Sequence, residues 1–250
     1  MKRREFLAGL AATVPAVAMG RALGRLGDVV SEPKPEFWFD EAEAKRATEF
    51  YPKFLRHVKG EWAGQPIELM PWMRNEIIRP LFGWKRADGT RRYRQAYIEV
   101  PRKNAKSTLC AGIGGYLLFC DHEPGAEIYS AAADRDQARI VFGDAKSMIK
   151  GSPELDSRCE VWKNSIVVPR TNSSWKVLSA DVATKHGLNA HGIIFDELHT
   201  QPNRDLYDVL HTSTGARRQA LEVYITTAGF DRHSICWELH DYALKVLSGV

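Results

Sequence analysis

Short apolar runs alternate along the chain with stretches in which apolar residues recur every three or four positions. The apolar runs predict buried strands, among them "QAYIEV", "AEIYSAAA", "HGIIFDE" and "LEVYITTAG". "SIVVP" and "SWKVLSA" predict a strand pair. The stretches between them have helical spacing, as in "DRDQARIVFGDAKSMIK", "NRDLYDVLHTST" and "SICWELHDYALKVL". This alternation predicts an α/β fold with a mostly parallel central sheet flanked by helices.

Capping residues and turn residues predict where several elements begin and end. Asp40 is a suitable N-cap for a helix over 40–58, Asp134 caps a later one, and an apolar helix is predicted from Lys106 to Phe119. "PWMRNEIIRPLFGW" begins with proline and predicts a helix that Pro80 stops or bends. "RADGTRRYRQAYIEV" predicts a hairpin at Asp-Gly that leads into a strand over 95–100.

Four predicted strands end in polar clusters. Val100 precedes "PRKNAKS", Ala131 precedes "AADRD", Phe195 precedes "DE" and Ile225 precedes "TTAG". In open sheets of parallel strands, ligands bind at the carboxyl ends of the strands. We therefore expect the functional site at this edge of the sheet.

"VPRKNAKSTL" resembles the phosphate-binding P-loop, G-x-x-x-x-G-K-[ST], without its glycines. Lys106 and Ser107 occupy the K-S positions, whereas Val100 and Ala105 occupy the glycine positions. By itself this segment is also compatible with a basic turn. "GIIFDE" supplies the missing half, because Asp196 at a strand end can hold Mg²⁺ and Glu197 can polarise an attacking water. The alternative for the acid pair is a loop N-cap, and the two motifs together predict a Mg²⁺-dependent P-loop ATPase.

Composition adds little to this prediction. The chain has 250 residues, 44% of them hydrophobic and 26% charged, which excludes disordered and fibrous proteins. The net charge of +4 is mild, but basic residues crowd one stretch, and this run predicts either attraction of phosphate or a solvated hairpin. The run consists of Lys85, Arg86, Arg91, Arg92, Arg94, Arg102, Lys103 and Lys106. The four cysteines lack metal-binding spacing and are expected to be reduced core thiols. No apolar run is long enough to span a membrane.

The N-terminal segment "MKRREFLAGLAATVPAVAMG" has paired arginines, an apolar stretch and an A-x-A site, as twin-arginine export signals do. The alternative is an apolar helix that docks on this protein or on a partner. ATP chemistry belongs inside the cell, so we favour the alternative and expect a location in the bacterial host cytoplasm.

"VPRKNAKST", "AAADRDQARIVF", "HGLNAHGIIFDELH" and "VYITTAG" resemble the ATPase domain of the large terminase subunit of tailed double-stranded DNA bacteriophages. The resemblance runs from about Glu61 to the C-terminus. It implies a packaging motor, a homo-oligomeric ring (a pentamer by family resemblance) that hydrolyses ATP to pump double-stranded DNA through the portal into a capsid. The implied partners are DNA, the portal protein and the small terminase subunit, with no membrane.

The expected organisation is an apolar segment, linker and helix over residues 1–60, a P-loop ATPase core over 61–230, and a small C-terminal lid or closing helix over 231–250. The nuclease domain that large terminases carry is expected to be absent from this chain.

The resemblance also implies roles for individual residues. Lys106 would bind the β- and γ-phosphates, Ser107 and Asp196 the magnesium, and Glu197 would be the catalytic glutamate. Arg102 would be an additional basic catalytic residue of the cradle. The implied nucleotide cradle consists of Pro101, Arg102, Lys103, Asn104, Ala105, Lys106, Ser107 and Thr108. The implied coupling motif consists of Thr226, Thr227, Ala228 and Gly229, for which a simple exit from a strand is the alternative.

Ring motors also use a cation that stabilises the transition state, often from a neighbouring subunit. Arg139 is the candidate for this arginine finger, with Arg135 second, and a solvated helix arginine is the alternative. Met73 stands where a glutamine that reads adenine is expected, so Trp72 or Arg74 are the candidates for contact with the base.

Three other functions remain open at this stage. The first is a helicase-like translocase, and the second is a nucleotide-binding protein without turnover. The third is a basic nucleic-acid-binding module that works through residues 85–94, whose binding would depend steeply on salt and not on ATP.

Overall fold

The computed structural model describes residues 35–133, 135–179, 187–227, 229 and 231–249. The twin-arginine-like segment, the Asp134 cap and Ala228 of the coupling motif lie outside the described residues.

The described elements follow the predicted alternation of strands and helices. The strands are β1 (Phe37–Phe39), β2 (Trp84–Arg86), β3 (Gln95–Glu99), β4 (Glu127–Ala132), β5 (Glu160–Val161), β6 (Ser165–Val168), β7 (Ser173–Ser179), β8 (Ala190–Asp196) and β9 (Leu221–Thr226). The helices are α1 (Glu41–Phe54), α2 (Arg79–Gly83), α3 (Lys106–Phe119), α4 (Arg135–Lys150), α5 (Pro153–Asp156), α6 (Asp205–Ser213) and α7 (Ile235–Ser248).

Seven strands form one sheet in the order β3-β9-β8-β4-β7-β6-β5. The first five run parallel to one another, and β6 and β5 add antiparallel strands at one edge. β1 and β2 form a separate antiparallel pair. The prediction of a mostly parallel sheet flanked by helices is confirmed.

Alternate residues of the central strands face the two sides of the sheet, and each side is covered by helices. Ile194 of β8 belongs to a buried cluster with residues of α1, α3 and α4, whereas its neighbour Phe195 belongs to a second cluster with residues of α6 and α7. Because side chains alternate along a strand, a sheet covered on both faces needs apolar residues at every position. β8 and β9 are buried throughout.

Helix α1 packs closely against α3, the helix that follows the cradle. The Tyr51 hydroxyl donates to the Leu109 carbonyl oxygen at 2.8 Å. A Cβ at Gly112 would lie 2.0 Å from the Tyr51 ring, so this position has no room for a side chain. The glycine therefore fixes how near α1 comes to the start of the cradle helix.

One predicted helix boundary is wrong. α1 is capped by Asp40 as predicted, with its carboxylate accepting from Glu43, but it ends at Phe54 and leaves Val58 37% exposed outside the helix. Of the two outcomes predicted at Pro80, a stop or a bend, the stop does not occur, because a widened turn over Met73–Ile78 precedes the proline and α2 continues to Gly83. A wider turn accommodates a proline ring that would clash in a regular helix.

One arginine of the basic stretch lies in the interior of the fold, although the Asp-Gly turn of the hairpin is exposed. Arg91 is 1% exposed and donates two hydrogen bonds to Asp121, at 2.9 and 2.8 Å. It donates a third to the Gln219 carbonyl oxygen at 2.6 Å. His191 Nε2 lies 2.6 Å from the same Asp121 carboxylate. These residues join the starts of β3, β8 and β9 to the end of α3, at the end of the sheet opposite to the cradle.

Replacing Asp121 with asparagine should lower the free energy of unfolding by about 3–5 kcal/mol, because Arg91 would keep a buried charge without its counter-ion. Burial alone would raise the pKa of Asp121, but the charge of Arg91 and the hydrogen bonds from Arg91 and His191 outweigh it and hold this pKa well below its usual range. A depressed carboxyl pKa stabilises the fold above about pH 4 and loses that effect as the pH falls further.

Urea unfolding of the wild type and of the Asp121→Asn variant between pH 3 and pH 7 measures both effects. Exposed Asp156 provides the control, Asp156→Asn, which should change the free energy of unfolding little. A similarly small change for Asp121→Asn at pH 7 would contradict the stabilising role of the buried cluster.

Candidate functional site

The turn between β3 and α3 adopts left-handed backbone at two positions that are not glycine. Lys103 has φ 65° and Ala105 has φ 52°. Ala105 is the N-cap of α3 and provides no side-chain cap. Asn104 ties the turn together by donating its amide to the Pro101 carbonyl oxygen at 3.0 Å. The position at which the P-loop pattern has its second glycine thus has a backbone conformation that glycine prefers.

Replacing Ala105 with glycine should raise the free energy of unfolding by about 1 kcal/mol. The left-handed conformation costs an L-residue roughly 1–2 kcal/mol, and the greater freedom of glycine in the unfolded chain offsets about 0.5–1 kcal/mol of that gain. Ala42, exposed in α1, is the matched control, and Ala42→Gly should destabilise the protein by about 1 kcal/mol. Equal destabilisation by the two substitutions, measured by urea unfolding, would contradict the strain at Ala105.

The residues of the implied cradle, 101–108, lie at the start of α3 and differ in how far their side chains are exposed to solvent. Pro101, Arg102, Lys103 and Ala105 are exposed, Asn104, Ser107 and Thr108 are half-buried, and Lys106 is buried. The first backbone N–H groups of a helix have no partner within the helix and bind anions well. The turn therefore offers N–H donors, the Lys106 ammonium and the Ser107 hydroxyl together at the carboxyl end of β3.

The structure brings Lys106 and Glu197 together although 91 residues separate them in the sequence. The Lys106 ammonium donates to Glu197 Oε1 at 2.9 Å, with the two side chains 8% and 25% exposed. Glu197 follows the last residue of β8 and has left-handed backbone, with φ 51°. The Thr200 N–H and hydroxyl both donate to the Glu197 carbonyl oxygen, at 2.9 and 2.8 Å. A strained residue held by its neighbours at a strand end is typical of a functional site.

Asp196, the last residue of β8, is 5% exposed and lies beside this pair. Burial raises the pKa of the Asp196 carboxyl to about 6, helped by the negative charge of Glu197 and opposed by Lys106. A buried carboxylate without a cation of its own fits Mg²⁺, which is held in such sites by one or two carboxylates, a hydroxyl and the phosphates of the substrate. No cluster of three or more His, Cys, Asp or Glu residues that could hold a metal exists among the described residues.

His199, which the sequence did not identify as a site residue, connects the end of β9 to the same site. Thr226 is fully buried, and its hydroxyl lies 2.9 Å from His199 Nδ1. The same Nδ1 lies 3.3 Å from Glu197 Oε2. Thr227 is half-buried, and a Cβ at Gly229 would lie 3.2 Å from the Cβ of His199. The sequence offered one signal for this role of His199, because His199 lies two residues after Glu197, between the predicted strand and the next predicted helix.

Comparison with known proteins shows the family to which this fold belongs. Residues 71–245 match the family described as the terminase large subunit, ATPase domain. The chain belongs to this family. Over 189 residues it is 31% identical to the terminase large subunit of Enterobacteria phage HK97. The aligned region covers 73% of this chain and 36% of that protein. The crystal structure of the HK97 bacteriophage large terminase matches with a TM-score of 0.69 and 28% identity, over 81% of this chain and 41% of that one.

The terminase resemblance and the P-loop ATPase fold inferred from sequence are therefore confirmed. The chain spans well under half the length of the HK97 protein, in both its sequence and its crystal structure. Among the residues that the structure describes, no helix has the length and apolar character needed to cross a membrane.

The candidate arginine finger of this terminase ATPase domain lies outside the cradle. Arg139 is on α4, partly buried, and its Nη2 donates to Asn164 Oδ1 at 3.4 Å. The structure does not bring it to the Lys106–Glu197 pair, so the finger remains a prediction. The side chain of Arg135, the second candidate, lies outside what the structure describes.

The residues considered for contact with adenine lie in different environments. Met73 is 4% exposed and belongs to the main buried cluster, so it packs in the core. Arg74 is exposed and lies 3.8 Å from Glu68. Trp72 lines a groove of about 880 Å³ between β3 and α7, on the outer side of the sheet edge. None of these observations assigns an adenine contact.

Replacing Asp196 with asparagine should stabilise the terminase ATPase domain while removing the carboxylate that is the candidate ligand for magnesium. A folded-state pKa of about 6 lies above the usual value near 3.9, so ionising this carboxyl costs stability as the pH rises from about 4 through 6. At pH 8 the neutral amide should therefore raise the free energy of unfolding by about 1–3 kcal/mol. At pH 4 the two proteins should differ little, and urea unfolding of an Asn variant less stable than the wild type at pH 8 would contradict this prediction.

Proposed function

We propose that this chain is the ATPase motor of a viral DNA-packaging terminase, which hydrolyses ATP with Mg²⁺ to move double-stranded DNA through the portal into a capsid. The observation that carries the proposal is the meeting of Lys106 and Glu197 at 2.9 Å, at the carboxyl edge of a parallel sheet and beside buried Asp196. The motor would work in the host cytoplasm as a ring of copies on the procapsid portal, with the small terminase subunit as a further partner. A pentamer is the expected ring.

Each residue of the candidate site would have its own role in phosphoryl transfer. The N–H groups at the start of α3 and the Lys106 ammonium would bind the β- and γ-phosphates, and the exposed Arg102 could add charge at the mouth of the cradle. Asp196 and Ser107 would hold Mg²⁺, which neutralises charge on the phosphates. Glu197 would accept the proton of the attacking water.

The Lys106–Glu197 ion pair has a consequence for the order of these events. The Lys106 ammonium, when a γ-phosphate enters the cradle, would turn toward this more highly charged partner and so weaken its contact with Glu197. Nucleotide binding would thus free the Glu197 carboxylate to accept a hydrogen bond from water. In this proposal the base becomes available only when substrate occupies the cradle.

The test is ATP turnover by the purified chain as a function of its concentration, with and without double-stranded DNA, alongside equilibrium binding of a fluorescent ATP analogue. We expect specific activity to rise with concentration, as it does when neighbouring copies complete each site. Tight nucleotide binding without turnover at any concentration would favour the non-hydrolysing alternative. Absence of nucleotide binding would overturn the P-loop assignment, and DNA binding that ignores ATP would favour a basic binding module.

A further inference from the structure

We propose that His199 is the positioning residue of this site, holding the Glu197 carboxylate when Lys106 turns to phosphate and linking it to Thr226 at the end of β9. This inference rests on the proposed ATPase function. It depends on contacts of His199 with Glu197, Thr226 and Gly229.

The hydrogen bonds around Thr226 favour one tautomer of the imidazole. The Thr226 hydroxyl lies 2.9 Å from the Thr227 carbonyl oxygen and can donate its single hydrogen there. With its hydrogen used in this way, the hydroxyl oxygen accepts from His199 Nδ1, 2.9 Å away, in the tautomer with the proton on Nδ1. The backbone N–H of His199 lies 3.3 Å from the same oxygen and donates a second hydrogen bond to it. Two hydrogen bonds from His199 to the buried Thr226 hydroxyl oxygen therefore join the loop after β8 to the end of β9.

The imidazole Nδ1 of His199 also lies near the Glu197 carboxylate, beside the oxygen that Lys106 does not contact. Glu197 Oε1 accepts from Lys106, while Glu197 Oε2 is buried and makes no hydrogen bond of good geometry with any residue that the structure describes. Its separation of 3.3 Å from His199 Nδ1 is close enough to become a hydrogen bond after a small rotation. A buried carboxylate oxygen without a partner is costly, so this second contact should strengthen when Lys106 leaves.

The β9 side of this link is tightly packed. A Cβ at Gly229 would lie 3.2 Å from the His199 Cβ and 3.7 Å from Cys236 Sγ. Movement of the loop after β9 would therefore press on His199, and movement of His199 would press on that loop. The contact gives the coupling motif a mechanical connection to Glu197 that does not depend on the nucleotide.

Two substitutions at His199 separate positioning from general packing. Asn places an amide N–H near the position of imidazole Nδ1, whereas Gln places it near Nε2. We expect His199→Ala and His199→Gln to lower kcat for ATP by about 10²-fold, as misplacement of a catalytic group by about 1 Å does, with KM and analogue binding little changed. His199→Asn should recover most of the loss. A structural role would give no such difference between Asn and Gln.

A second readout does not need turnover. Hydrogen–deuterium exchange of the backbone over residues 221–227 should change when ADP and Mg²⁺ are added to the wild-type chain. The change should be absent in His199→Ala and in Thr226→Val, which removes only the hydroxyl, and present in His199→Asn. All of these variants should bind ADP like the wild type.

The outcomes separate this inference from the proposed function. Equal kcat for the Ala, Gln and Asn variants and the wild type, or an unchanged exchange response in His199→Ala, would overturn the role of His199 while leaving the ATPase intact. A wild-type chain that binds no nucleotide would instead overturn the proposed function itself.

Discussion

Replacing Glu197 with glutamine should lower ATP turnover by about 10²- to 10⁴-fold, the contribution typical of a general base. Glutamine has the size of glutamate and can still accept a hydrogen bond from Lys106, but its amide cannot take a proton from water. Binding of the fluorescent ATP analogue should be kept or tightened, because the Lys106 ammonium would no longer have to leave a carboxylate 2.9 Å away. The measurement is steady-state turnover at the highest accessible protein concentration, together with the analogue Kd.

The control for this prediction is Glu160→Gln, at an exposed glutamate of β5 distant in the sheet from β8. It should leave turnover and binding unchanged. Turnover of Glu197→Gln within about twofold of the wild type would show that another group is the base. Loss of analogue binding in the same variant would mean instead that Glu197 shapes the cradle.

Replacing Arg139 with alanine should lower turnover by about 10³- to 10⁵-fold if this arginine acts as a finger on the site of a neighbouring copy. Nucleotide binding should persist, since Arg139 is on α4 and the hydrogen bond described for it goes to Asn164 and not to the Lys106–Glu197 pair. The described hydrogen bond from Arg139 to Asn164 offers a control. Asn164→Ala removes that contact but leaves the guanidinium, and it should keep wild-type turnover.

A mixing experiment tests whether the arginine acts between copies. Glu197→Gln subunits keep the guanidinium of Arg139, and Arg139→Ala subunits keep the glutamate, so a mixed ring contains some complete sites. Turnover in the mixture should exceed that of either variant alone by a factor that depends on their ratio. Two inactive variants that stay inactive when mixed, under conditions in which the wild type assembles, would rule out this finger.

Local signals in the sequence were enough to predict the sheet and the positions of its strand ends. Runs such as β8 and β9 are buried throughout and mostly apolar, and the helices between them show clear periodicity or caps. Lys106–Phe119 was predicted with the bounds that α3 has. The end of α1 was not, because residues after Phe54 keep helical spacing of apolar side chains while Leu55 is already extended. The widened turn before Pro80 was not predicted, because such a turn leaves no trace in residue type.

The sequence by itself determined the types of chemical group at the site and their order along the chain. Lys106, Ser107, Asp196 and Glu197 were identifiable because phosphate and magnesium require these groups immediately after strands. Only the tertiary structure decided that Glu197 pairs with Lys106 in the described state and that His199 joins Glu197 to Thr226. It also placed Arg91 in the interior beside Asp121. These contacts join residues from 27 to 91 positions apart, except Glu197 and His199, and depend on sheet order and backbone angles, which no local pattern of residues records.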